Sequence, residues 1–134
     1  MAGVEDVLGA VPVVEAALGS VEEGERVGSL LLDVPARDRP TAVVAQSNLI
    51  AAGVLRAAEA RGLRVPEDLS VAGFDGVDLP GLPPGFLTTV VQPAAEKGRA
   101  LARAVVAMLG GAPPQHVVLP VELRVGGTTG RAPR

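Results

Sequence analysis

The chain of 134 residues has no cysteine, no tryptophan and no tyrosine. Without cysteine there is neither a disulfide framework nor a thiolate metal site, a composition compatible with the cytoplasm. Phe74 and Phe86 are the only phenylalanines, and aromatics make up 1% of the chain, so a site that stacks on sugar rings or bases has little to stack with. Basic charge is also sparse. Twelve Lys and Arg against fifteen Asp and Glu leave a net charge of −3, and the basic residues, Lys97 and otherwise all Arg, are scattered without a run of three. Such a surface does not attract phosphate backbones. No stretch approaches the roughly 18 apolar residues of a membrane span, and the start MAGVEDV lacks the features of a signal peptide.

What is present is aliphatic. Hydrophobic residues account for 48% of the chain, and Val, Leu and Ala must build its core. Seventeen glycines and twelve prolines fall between apolar segments and punctuate folded elements. A length of 134 residues fits one domain.

The most informative stretch runs from Arg39 to Pro93. Two apolar runs, Thr41–Ala45 and Ser70–Phe74, each stop at a small polar or acidic residue, and a helical segment over about 49–61 links them. That pattern is a β-α-β unit with parallel strands. Parallel strands present their carboxyl ends at one edge, so Ser47 and Asp75 are expected side by side where open α/β sheets bind ligands.

Around this unit, Ser20-Val-Glu-Glu23 has capping-box spacing and predicts a helix over about 21–32, despite Gly24 and Gly28. Ser47 or Asn48 is placed to cap the helix ending at Gly62. That helix carries more apolar surface than one stripe, which suggests contact with a second subunit as well as with the sheet. Val11–Leu18 reads as an edge strand or a helix end, and Thr88–Val91 as a short strand. Gln92-Pro93 opens a helix with Gly98, Leu101, Ala102, Val105 and Leu109 on its apolar face, up to Gly110-Gly111. Val117–Val125 gives a last strand pattern, broken by Pro120.

Candidate chemistry is thin. His116 is the sole histidine and lies in a Pro-rich loop, where a lone imidazole is usually solvated. No phosphate-loop, dinucleotide or nucleophile-elbow pattern occurs, so a hydrolase lacks a nucleophile and base at workable spacing. No cofactor or metal is expected, and Asp75 remains the leading ligand-binding residue.

Arg39-Pro-Thr-Ala-Val-Val, the block Gly62-Leu-Arg-Val-Pro-Glu-Asp-Leu-Ser-Val-Ala-Gly-Phe-Asp-Gly76, Leu87-Thr-Thr-Val-Val-Gln-Pro93 and Leu119-Pro-Val-Glu-Leu123 follow one another in an order that resembles the C-terminal part of a LacI/GalR-family transcriptional regulator. The resemblance runs from about Ser20 to Thr129. It implies an incomplete three-layer, parallel-sheet α/β lobe of the periplasmic-binding-protein-like type I fold. Residues up to about 92 would form the C-terminal lobe, the helix over about 93–111 would pack in an N-terminal lobe absent from this chain, and about 112–134 would return as strand and tail. The DNA-binding headpiece and hinge would also be absent.

Carried over residue by residue, the resemblance implies that Asp75 binds effector hydroxyls or a base nitrogen, that Ser47 faces the effector with Asn48 in place of the usual Asp, and that Gln92 lies at the cleft crossover. Gly19 stands where many members present an aromatic ring. The helix after Ser47 and the Leu79-Pro-Gly-Leu82-Pro-Pro84 loop would form a homodimer interface through Ala52, Leu55, Arg56, Leu79, Leu82 and Pro83. The implied function is effector sensing, for a sugar or nucleobase, with DNA bound only through the absent headpiece. A free-standing periplasmic-type sugar-binding protein is the alternative.

Overall fold

A computed structural model of the chain describes residue 4, residues 6–7 and residues 9–133. From residue 9 onward, helices α1 (Val21–Leu32), α2 (Asn48–Glu59) and α3 (Ala94–Leu109) and a 3-10 turn, Ala36–Asp38, accompany strands β1 (Ala42–Val44), β2 (Ser70–Asp75), β3 (Thr88–Val91) and β4 (Glu122–Arg124). The sheet order is β1-β2-β3-β4. The first three strands run parallel, with Val44 opposite Ala72 and Asp75 opposite Val91, and β4 is antiparallel to β3. The β-α-β unit read from the sequence is therefore β1-α2-β2.

Helix α1 starts where its cap dictates. The Ser20 hydroxyl accepts a hydrogen bond from Glu23 N–H at 3.2 Å, satisfying one of the free donors of the first turn. The Glu23 carboxylate reaches beyond the cap and accepts from Ala17 N–H at 2.8 Å. After α2 the chain turns at Gly62, whose φ of +65° costs a glycine little. There the N–H of Leu63 reaches Ala58 O and that of Gly62 reaches Glu59 O, closing the last turn.

Gly24 and Gly28 interrupt no helix; they let two helices touch. A Cβ on Gly24 would collide with the Ile50 backbone, and one on Gly53 with Val21 O and Glu25 N. Helices α1 and α2 thus meet backbone to backbone. Helix α2 packs on one face of the sheet with α1 against it, and Leu32, Ala45, Ala51, Val54, Ala57, Ala58, Leu69, Val71 and Leu87 form the core. On the strands, Val44, Phe74 and Leu123 remain exposed. Two of the three layers expected of the lobe are present among the described residues, so the lobe is partial.

Three expectations are corrected in detail. Val11–Leu18 is neither strand nor helix end but irregular chain, in keeping with the missing N–H of Pro12. The strand expected over Val117–Val125 is confined to Glu122–Arg124, which begins only after Pro120. Pro93 is the N-cap of α3, outside the first helical turn proper. Among the described residues nothing buries the apolar face of α3: none of its residues is buried, and Leu109 is 85% exposed.

Candidate functional site

Because β1 and β2 are parallel neighbours, the residues after their ends share the carboxyl edge of the sheet. Ser47 follows β1. Its hydroxyl accepts from Ile50 N–H at 3.2 Å, so Ser47 is the cap of α2. Asn48, the other capping candidate, is buried and held at both ends of its amide. Its Nδ2 donates to Val77 O at 2.6 Å, and its Oδ1 accepts from the Thr89 hydroxyl at 2.7 Å. The same Thr89 oxygen accepts from Gly76 N–H at 3.3 Å. One buried amide thereby ties the start of α2 to β3 and to the turn leaving β2, with its polar atoms satisfied inside the protein. Gly73 makes room for it, since a Cβ there would stand 2.5 Å from Asn48 Oδ1.

Asp75 closes β2 with φ of +102°, a backbone region that non-glycine residues enter at a cost of about 1–3 kcal/mol. The β2–β3 register sets Asp75 opposite Val91, so Gln92 is the next residue along β3's chain. Gln92 Nε2 donates to Asp75 Oδ1 at 2.7 Å, and Gln92 Oε1 accepts from Lys97 Nζ at 3.0 Å. The carboxylate is half-buried, and no other side-chain hydrogen bond reaches it among the described residues.

Asp75 and Gln92 are therefore brought into contact, whereas Ser47 and Asn48 spend their polar atoms on the fold. Sequence reasoning overlooked Thr89 and Lys97. Nothing marks Thr89 in a strand rich in threonine and valine; Lys97 had a signal, being the only lysine of the chain. No group of three metal-ligating side chains occurs among the described residues.

A second feature lies away from this edge. Leu49, Ala52, Leu55 and Arg56 of α2, together with Leu79 and Leu82 of the loop after β2, line a groove of about 660 Å³. Pro83 is in the same loop, exposed and outside the lining. The loop is pinned by Asp78, whose Oδ1 accepts from Arg124 Nη2 at 3.0 Å and from Gly85 N–H at 3.3 Å.

A partial α/β lobe with an acceptor at the carboxyl edge of parallel strands defines the class of ligand-binding lobes. The profile described as a periplasmic binding protein-like domain matches residues 6–129. The repressor CytR of Escherichia coli K12 is 39% identical over 117 residues, and the regulator MalR of Streptomyces coelicolor 40% identical over 124. These alignments cover 84% and 90% of this chain but only 33% and 35% of the relatives. The chain thus spans about a third of the length of the curated relatives it matches. A LacI transcriptional regulator from a Rhodococcus species superposes with a TM-score of 0.76 at 33% identity, over 86% of this chain and 42% of that one. A LacI-family regulator from Enterococcus faecium, solved with bound ribose, gives 0.69 at 29% identity, over 86% of this chain and 41% of that one. The chain belongs to the family of periplasmic-binding-protein-like domains and is homologous, over that domain, to transcriptional regulators of the LacI family. No helix among the described residues is long and apolar enough to cross a membrane.

Proposed function

We propose that this chain is the effector-sensing and dimerising part of a LacI-type transcription regulator, acting in the cytoplasm and performing no chemistry of its own. The observation that carries the reading is Asp75: a carboxylate at the strand-carboxyl edge, on a strained backbone, bonded through one oxygen to Gln92. It is an acceptor suited to a small neutral ligand bearing hydroxyl or N–H groups, such as a sugar or a nucleobase. The Enterococcus faecium structure with ribose supports a sugar. A ligand that binds one lobe arrangement better than another shifts the population, and a headpiece elsewhere in the polypeptide reports the shift on DNA. In this reading Ser47 and Asn48 shape the edge and hold its loops, and Gln92 holds the carboxylate.

Each charge-assisted hydrogen bond to Asp75 contributes about 1.5–3 kcal/mol. In a complete regulator containing this sequence, Asp75→Ala should weaken effector binding by about 3 kcal/mol, roughly a hundredfold, and leave operator affinity nearly intact. Calorimetric titration with ribose, glucose and purine nucleosides, alongside an operator mobility shift, measures both. Undiminished effector binding by Asp75→Ala would sink the reading.

The groove between α2 and the 79–84 loop is the second part of the proposal: it receives the same surface of a second copy, with Ala52, Leu55, Arg56, Leu79, Leu82 and Pro83 in the contact. Leucines beside small alanines give an apolar patch that a twofold partner covers with itself. Leu55→Arg combined with Leu82→Arg should turn a dimer into a monomer in analytical ultracentrifugation, because charge is then placed in a desolvated contact.

A further inference from the structure

Three side chains form a line from the end of β2 into the first turns of α3. Lys97 donates to Gln92 Oε1 at 3.0 Å, and Gln92 Nε2 donates to Asp75 Oδ1 at 2.7 Å. A glutamine amide has a donor end and an acceptor end, and turning it over would aim Oε1 at the carboxylate, a repulsive arrangement. Its orientation is selected from both sides: an acceptor at Asp75 demands the NH₂, and a three-donor ammonium at Lys97 demands the oxygen.

The rest of Asp75's surroundings fix its backbone but not its carboxylate. Gly76 N–H is held by Thr89 and Val77 O by Asn48, so the turn after β2 is pinned on both sides. Among the described residues the Asp75 carboxylate has one side-chain hydrogen bond, from Gln92 to Oδ1, which leaves Oδ2 without a hydrogen-bonding side-chain partner. Gln92 Oε1 in turn has one hydrogen-bond partner among the described residues, Lys97 Nζ.

We propose that Lys97 is a positioning residue for the effector edge: by fixing the Gln92 amide it holds Asp75 with Oδ2 presented as the free acceptor for a neutral, hydroxyl-bearing ligand. The proposal rests on the effector-edge reading for its consequence, while the positioning itself needs no ligand. Lys97 touches no ligand in this account. Its position in the first turns of α3 also makes α3 the element on which the carboxylate's orientation depends.

The test has two arms. In the first, the 134-residue chain is labelled with nitrogen-15, and the Gln92 side-chain amide pair is assigned by its loss in Gln92→Glu. In the parent the pair is shifted from free-glutamine positions; in Lys97→Met it moves to them, and Lys97→Arg restores it. Lys97→Gln, a second neutral variant, guards against a local packing effect of methionine. If the pair stays in place in both neutral variants, the positioning role is overturned. In the second arm, ribose is titrated into a regulator containing the chain. Lys97→Met should weaken binding about fivefold, the order expected for one exposed charge-assisted bond, and should cause no further loss in a Gln92→Ala background. A loss that persists in that background would mean that Lys97 acts without Gln92, and would overturn the proposal. Binding that is insensitive to Asp75→Ala would instead sink the effector-edge reading and leave the first arm to decide the role of Lys97.

Discussion

Helices α2 and α3 are both amphipathic and both follow a strand of the same sheet, yet one is sealed and the other bare. Asn48, Ala51, Gly53, Val54, Ala57 and Ala58 of α2 are buried, while α3, the longer helix, buries nothing. The difference is in the partner. Helix α2 lies between the sheet and α1, and glycines on both helices remove the side chains that would hold them apart. Helix α3 leaves the sheet after Gln92, and among the described residues nothing meets its stripe of Leu101, Val105 and Leu109. An apolar face records where a helix is able to pack. Stability comes only from what it packs on.

The comparison is most easily broken at Gly53. A Cβ placed there would run into the Val21 carbonyl and the Glu25 amide, backbone atoms that cannot swing aside. Gly53→Val should force the helices apart and cost about 3 kcal/mol or more, read as a lowered midpoint in urea unfolding. A midpoint equal to the parent's would show that α1 and α2 do not meet this closely.

A smaller effect is expected at the start of α1. Arg26 and the Ala17 N–H hold the Glu23 carboxyl down at about 2, from an ordinary value of 4.5. A carboxyl depressed by folding stabilises the native state above its unfolded pKa, and that contribution is lost as pH falls from 4.5 toward 2. Glu23→Gln should remove that contribution, lowering stability above pH 4.5, leaving it nearly unchanged near pH 2 and so flattening the acid limb between. Thermal melts from pH 2 to pH 7 measure it.

The smallest effect is expected on the bare side. Leu101 is 58% exposed on α3, so Leu101→Ala should alter the stability of the chain by less than about 0.5 kcal/mol. A loss of several times that size in urea unfolding would show that α3 packs on the rest of the chain after all.

Much of this architecture was legible. The Ser20 cap and its spacing predicted α1 at its observed bounds, and Thr88–Val91 emerged as the strand expected. The stopping residues of β1 and β2 pointed to one edge, as parallel pairing then confirmed. These are local signals, carried by residues within one turn or one strand of each other. The purpose of Gly24 and Gly28 was not legible, for the opposite reason. In an isolated helix each costs stability, and their use lies in an approach to Ile50 and Val54, far along the chain.

The candidate edge divides the same way. Asp75 stood out because an acidic residue after a buried run is locally conspicuous. Ser47 and Asn48 are both capping candidates by sequence and Ser47 fills the role; nothing near Asn48 in sequence reveals Thr89 or Val77 as its partners. Residue order alone determined the elements, their parallel sense and the family to which the chain belongs, since capping, periodicity and motif spacing are properties of neighbouring residues. Only the tertiary structure decided that glycines would seal α1 to α2, that Asn48 would be buried, that α3 would lie bare and that Lys97 would reach Gln92. Each of these depends on strand register and helix packing, which bring distant residues within a few ångströms of each other.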